Sequence, residues 1–423
     1  MTSKRLLYVC LDGLGDDPIP EFDGRTPLEA AATPLLDELA GRGRLGLVHT
    51  VGKGIAPESD IAVFAILGYD PREDHPGRGV LEAIGSGMNL EAGDAAFRVN
   101  FATADGDRIL DRRVGRDLPS EDAQALAEEV NAAVSLPGAT AELRATVEHR
   151  GVLVLRSAQD SLSANVSNTD PAYEKQGTLG VALETFEDRV ARSEPLADTE
   201  EAGRTADLLN RFTEASAAVL DGSSVNDRRR REGRLPANLI LARDAGDHVP
   251  DIEPIAKRFG PSWGCFVEMP VERGIAMVLG MAEVPAPTTP GAAERYAAWA
   301  ALAAEAIEGH DALYIHIKGP DVPAHDGKAE EKRRIIESID RSFFGELLPS
   351  IDPAATLLAV TADHATSCVR KAHTDDPVPL IVGGPGVDPD GADAFGERAA
   401  ADGSIGTIRG VEIVPALVAL MKV

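Results

Sequence analysis

The chain has 423 residues, 43% of them hydrophobic and 26% charged, proportions of an ordinary globular protein rather than a disordered or collagenous one. Its length exceeds one average core, so two domains, or one domain carrying an insert, are expected. A formal net charge of −27 argues against nucleic acid as a partner, and apolar runs of strand length only argue against a membrane span.

Met1-Thr-Ser-Lys-Arg leads straight into the run Leu6 to Leu11 without a leader-cleavage pattern, which points to a cytoplasmic protein. That run reads as a strand ending at Asp12-Gly13. Thr26-Pro27-Leu28-Glu29 has the cap, the first-turn proline and the acidic third residue of a helix start. Thr33-Pro34 repeats the signal, with Leu35, Leu36 and Leu39 as an apolar face. A glycine-bearing loop then leads to Ser59 and the run Ile61 to Leu67, placing Ser59 at a helix cap.

From Glu91 to Arg192 the texture changes. Short strands (Phe97 to Thr103, Gly151 to Arg156) flank a helix over Ser120 to Ala133. This predicts a smaller α+β cap inserted at 91–192 into a core of 1–90 and 193–423. Helical period returns over 205–220, a strand follows at 238–242, and 284–290, with three prolines, reads as a linker. Ala312 to Ile317, Thr356 to Thr361 and Val378 to Val382 look like buried parallel strands with helices between them. The alternation predicts an α/β fold, a mostly parallel sheet flanked by helices. Cys10, Cys265 and Cys368 form no CxxC pair, so neither a disulfide framework nor a zinc ribbon is expected.

Ligands of open parallel sheets collect beyond the carboxyl ends of the strands. Asp12 follows the first strand; Asp321 and His325 follow the strand ending at Ile317; Asp363 and His364 follow the strand ending at Thr361, with His373 nine residues on. Singly, each is an ordinary strand-end polar residue. Together, carboxylates and imidazoles at one rim suit divalent ions such as Mn²⁺, Zn²⁺ or Mg²⁺. Ser59 at a helix N-terminus is the candidate nucleophile, because free amide groups and the helix dipole stabilise a phosphoryl group held there.

The chain also carries Asp12-Gly-Leu-Gly-Asp16, Arg25-Thr-Pro-Leu-Glu29, Ala56-Pro-Glu-Ser-Asp60, Leu67-Gly-Tyr-Asp-Pro71 and Gly77-Arg-Gly79. Phe97-Arg-Val-Asn100, Pro236-Ala-Asn238, His316-Ile-Lys-Gly319, Thr361-Ala-Asp-His364 and His373-Thr-Asp-Asp-Pro-Val-Pro379 follow in order. In these it resembles, over nearly its whole length, the archaeal-type cofactor-independent phosphoglycerate mutases of the alkaline phosphatase superfamily. The resemblance implies an alkaline-phosphatase-like core and two ions, one at Asp12, Ser59, Asp363 and His364, the other at Asp321, His325 and His373. Mn²⁺ is the first expectation for both; Mg²⁺, Zn²⁺ or Co²⁺ are alternatives. It implies interconversion of 2- and 3-phosphoglycerate through a phosphoserine at Ser59, a glycolytic and gluconeogenic step, with a small phosphorylated three-carbon acid as substrate. A metal-dependent phosphatase, or another phosphotransferase of the homoserine-kinase-like kind, would need the same rim. Arginine forks suit phosphate and carboxylate, so Arg98, Asn100, Asn226, Arg229, Asn238 and Arg243 are candidates for substrate binding, Arg229 through the family's spacing from Asn226. Lys318 touches substrate or pairs with a ligand carboxylate. Asp170 is either a proton shuttle or a turn-initiating residue before Pro171. Glu58, Ala324 and Asp244 stand where the family carries glycine, and Glu58 could repel a phosphate from Ser59.

Overall fold

The computed structural model describes residues 4–176, 179–183, 185–248, 251–287 and 291–422. Of the expected linker at 284–290, residues 288–290 lie outside that set. The chain forms two compact units: Met1–Asp74, Ile252–Glu268 and Ile275–Val423 make the first, His75–Asp251 and Met269–Gly274 the second.

The first unit holds an eight-stranded sheet. Its order is Ala282–Glu283, Trp263–Phe266, Ala312–Ile317, Arg5–Leu11, Thr356–Thr361, Val378–Gly383, Gly43–His49 and Gly406–Arg409. The central strands are buried throughout, apart from Arg5 at the start of its strand, which is why they read as unbroken apolar runs rather than as alternating ones. Cys10 is among these buried side chains, and all three cysteines are free.

One strand overturns its expected direction. Val378–Gly383 pairs antiparallel with both Thr356–Thr361 and Gly43–His49, while the other pairs in the sheet are parallel. A parallel return needs a crossover of a dozen or more residues, usually a helix. Here the link from Thr361 to Val378 is instead a small antiparallel ribbon, Ala365–Ser367 with Ala372–Thr374. The chain therefore re-enters the sheet from the rim where it left.

Thr26 caps the short helix Pro27–Ala30 in a full capping box with Glu29. Thr33 makes no cap bond; the amides of Leu35 and Leu36 bind the Asp340 carboxylate instead. The helix Ser59–Ile66 has Glu58 at its cap position, so Ser59 is its first residue rather than the cap.

The second unit is built on a five-stranded antiparallel sheet in which Ala95–Asp105 pairs with Arg108–Asp111, Arg150–Ser157 and Leu239–Gly246. Helices Ser120–Ala133 and Glu200–Asp221 contribute Leu126, Val130, Leu209 and Phe212 to a core with Phe97, Phe101 and Leu153. This unit is wider than the 91–192 insert expected from sequence. The segment 200–246 belongs to it because Leu239–Gly246 finds its partner in Ala95–Asp105, for instance Asn100 opposite Leu241. Among the described residues no helix is long and apolar enough to cross a membrane.

Candidate active site

Three adjacent parallel strands, Ala312–Ile317, Arg5–Leu11 and Thr356–Thr361, end at one rim of the first unit. They deliver Asp321, Asp12 and Asp363 there. The reversed strand brings His373 to the same rim, since a residue preceding an antiparallel strand lies where its neighbours finish. Gly43–His49 runs with the central strands and feeds the loop that carries Ser59.

Two candidate ligand sets result. Asp12, Asp363 and His364 offer atoms all within 4.8 Å of one another, as do Asp321, His325 and His373. Ser59 Oγ joins the first set, 3.1 Å from His364 Nε2. His364 Nε2 also lies 3.2 Å from Asp363 Oδ2 and 3.6 Å from Asp12 Oδ1. In the second set Asp321 Oδ1 is 3.4 Å from His325 Nε2 and 3.6 Å from His373 Nε2. The rings of His364 and His373 stack at 3.8 Å, so the sets adjoin.

The donor atoms fit divalent ions in three ways. His373 Nδ1 donates to the Pro57 carbonyl at 2.8 Å and His325 Nδ1 to the Lys371 carbonyl at 3.2 Å, which leaves each Nε2 with its lone pair toward the rim. Asp12 Oδ1 and Asp363 Oδ2 are buried and have no hydrogen-bond partner among the described residues, a costly arrangement unless something positive binds them. Burial alone would raise the Asp363 and Asp321 carboxyls, but positive charge on the imidazoles, His364 beside one and His325 and His373 beside the other, holds both below the usual range, and a cation bound at the Nε2 atoms would take the place of that proton. A third group, Cys10 with His316 and Asp363, is also close. Burial, reinforced by the Asp363 charge, pushes the Cys10 thiol well up, which makes it a poor ligand. Lys318 Nζ pairs with Asp12 Oδ2 at 3.1 Å.

The remaining predicted residues lie in the second unit and divide into two kinds. Asn226 binds the Leu220 and Ala237 carbonyls and the Ala237 amide, and Asn238 clamps both main-chain groups of Ala104. Arg229 is fully buried and tied to the Leu235 carbonyl and Asp117. These three side chains hold backbone. Asp170 is buried between a bidentate Arg112 (2.8 and 2.6 Å) and Arg243 (2.9 Å). Burial raises its carboxyl, but Arg243 and Arg112 outweigh that and hold it ionised, which disfavours a proton-shuttle role at neutral pH. Arg243 stacks on Tyr173 at 4.1 Å, and the Asn100 amide faces it at 3.3 Å.

Arg98 lies in a positive cluster larger than sequence reading found. Burial, then Arg78 and Arg243, lower Arg98 to about 10. Burial, then Arg150, Arg113, Arg98 and Arg116, lower His149 to about 3. A histidine kept neutral first by burial and then by four guanidiniums stands among local positive charge inside an acidic chain. Arg112, Arg113 and Arg116 also line a cavity of ≈ 300 Å³. The available signal was Asp111-Arg-Arg-Val-Gly-Arg116, a dense basic run between a strand and a turn.

Residues 40–226 match a family model described as 2,3-bisphosphoglycerate-independent phosphoglycerate mutase. A protein of that name from Aeropyrum pernix is 43% identical over 99% of both chains. The chain belongs to this family. A member from Methanopyrus kandleri is 38% identical over 98% of this chain and 96% of its own. Among solved structures, a protein from Pyrococcus horikoshii superposes with a TM-score of 0.81 at 31% identity, covering 100% of this chain and 98% of that one. The cofactor-independent phosphoglycerate mutase of Thermoplasma acidophilum gives 0.64 at 30% identity, covering 99% and 100%.

Proposed function

We propose that the chain interconverts 2- and 3-phosphoglycerate through a phosphoserine at Ser59. The observation that carries this is the Ser59 hydroxyl at a helix N-terminus, 3.1 Å from His364 Nε2 and beside two carboxylate–imidazole sets. Ser59 Oγ attacks phosphorus in line; its bond to phosphorus forms as the bond to the glycerate oxygen breaks, and that oxygen takes the proton. The other glycerate hydroxyl then attacks the phosphoserine and regenerates Ser59. Two divalent ions, Mn²⁺ first, held by Asp12, Ser59, Asp363 and His364 and by Asp321, His325 and His373, would ease deprotonation of Ser59 and neutralise the transferred oxygens.

Within the second unit, Arg98, Arg243 and Asn100, joined by Arg78, Arg112, Arg113, Arg116 and Arg150, offer the groups that suit a phosphate or carboxylate. Asp170 supports that cluster, and Asn226, Arg229 and Asn238 hold their own unit's backbone, rather than touch substrate. Water must be kept from the phosphoserine, or the product is free phosphate.

Trapping the phosphoenzyme tests this reading. Acid-quenched chain incubated with ³²P-labelled 3-phosphoglycerate and Mn²⁺ should carry label on Ser59. Ser59→Ala should lose the label and at least about 10³-fold in turnover. Label at another residue, or normal isomerisation by Ser59→Ala, contradicts it.

A further inference from the structure

Thr366 is fully buried between the two ligand sets. Its hydroxyl donates to Asp321 Oδ1 at 2.7 Å and stands 3.0 Å from His364 Nδ1. A hydroxyl has one hydrogen and a carboxylate has none to give. The bond to Asp321 uses that hydrogen, so Oγ1 accepts from His364 Nδ1–H. The lone pair of His364 is thereby left on Nε2, the atom facing Ser59, Asp363 and Asp12. At its other end the same hydroxyl orients the Asp321 oxygen that His325 and His373 approach.

The surroundings hold this hydroxyl in place. The Thr366 amide donates to the Gly15 carbonyl at 2.9 Å, and its carbonyl accepts from buried Lys332 at 2.8 Å. Lys332 also binds the Gly15 carbonyl and Asp16, both at 2.9 Å. Threonine is stiff at χ1, so a fixed main chain fixes Oγ1. Gly13 lets the Asp12 turn close over it: a Cβ there would lie 2.8 Å from Thr366 Oγ1.

We propose that Thr366 is a positioning residue shared by both metal sites. The inference rests on the two-ion reading above: one hydroxyl aims His364 at the first ion and Asp321 at the second, so its loss weakens both. Titration calorimetry of Mn²⁺ into chelator-stripped chain reads this without turnover. Thr366→Val should raise both dissociation constants about 10- to 100-fold, and Thr366→Ser, which keeps the hydroxyl, should stay within about threefold of wild type. Thr366→Ala removes the hydroxyl without added bulk and serves where valine disturbs folding, as judged by near-UV circular dichroism of the metal-free chain. Weakening at one site only, at neither, or without rescue by serine overturns the inference while the two-ion reading stands. A wild-type chain that binds fewer than two Mn²⁺ overturns both.

Discussion

Buried charges divide this molecule's residues into those that work and those that support. Asp170 neutralises Arg112 and Arg243 in a buried ion triad, and removing one partner of such a group leaves the others uncompensated. Asp170→Asn, close in shape, should cost about 3 kcal/mol in urea unfolding; a loss below about 1 kcal/mol would show that the arginines find other acceptors. Glu397 behaves oppositely. Burial, only partly offset by the Thr26 hydroxyl that donates to it at 2.7 Å, pushes its carboxyl from the usual 4.5 up to about 7. The folded state therefore keeps this proton longer than the unfolded one. The resulting stability is present in full below about pH 4.5 and is lost as pH rises through about 7. Glu397→Gln, which mimics the protonated acid, should gain up to about 3 kcal/mol over wild type at pH 8 and nothing at pH 4. A constant difference across that range would contradict the shift. Sequence could name Asn226, Arg229 and Asn238 as polar candidates, Arg229 through the family's spacing from Asn226. It could not show that their hydrogen bonds go to main chain, because that depends on which carbonyls the fold leaves orphaned.

At the scale of elements, much was legible where local physics decides. Helix Ser120–Ala133 and strands Ala312–Ile317 and Thr356–Thr361 lie where periodicity and apolar runs put them. What was hidden was pairing. A buried antiparallel strand among parallel ones has the same apolar run, so the sequence of Val378–Gly383 does not disclose its direction. Yet that reversal is what carries His373 to the ligand rim; a parallel strand would have started at the opposite one. The placement of Ser59 shows a smaller displacement with a chemical consequence. As first residue of its helix rather than cap, its hydroxyl faces His364 instead of an amide of its own turn. The Asp12 turn depends on Gly13, whose φ of +63° and 2.8 Å approach to Thr366 Oγ1 leave no room for a side chain. Gly13→Ala should weaken Mn²⁺ binding by about tenfold or more while far-UV circular dichroism is unchanged. Wild-type affinity would mean that the turn relaxes freely.

For the whole molecule, the net charge of −27 sits uneasily with an anionic substrate until charge is seen to be unevenly distributed. One unit gathers carboxylates and imidazoles that could hold cations; the other gathers arginines. Segments far apart in sequence meet in the ligand sets, so Mn²⁺ should slow hydrogen exchange together around residues 12–17, 57–60, 321–325 and 363–373. Protection confined to one of these segments would argue against a shared centre. The central claim is isomerisation without release of phosphate, and its most direct test is turnover of 3-phosphoglycerate with Mn²⁺, following 2-phosphoglycerate and free phosphate side by side. Formation of 2-phosphoglycerate without free phosphate, abolished by chelation and indifferent to added 2,3-bisphosphoglycerate, is the predicted result. Free phosphate with no isomer would contradict it and make the chain a phosphatase built on the same rim.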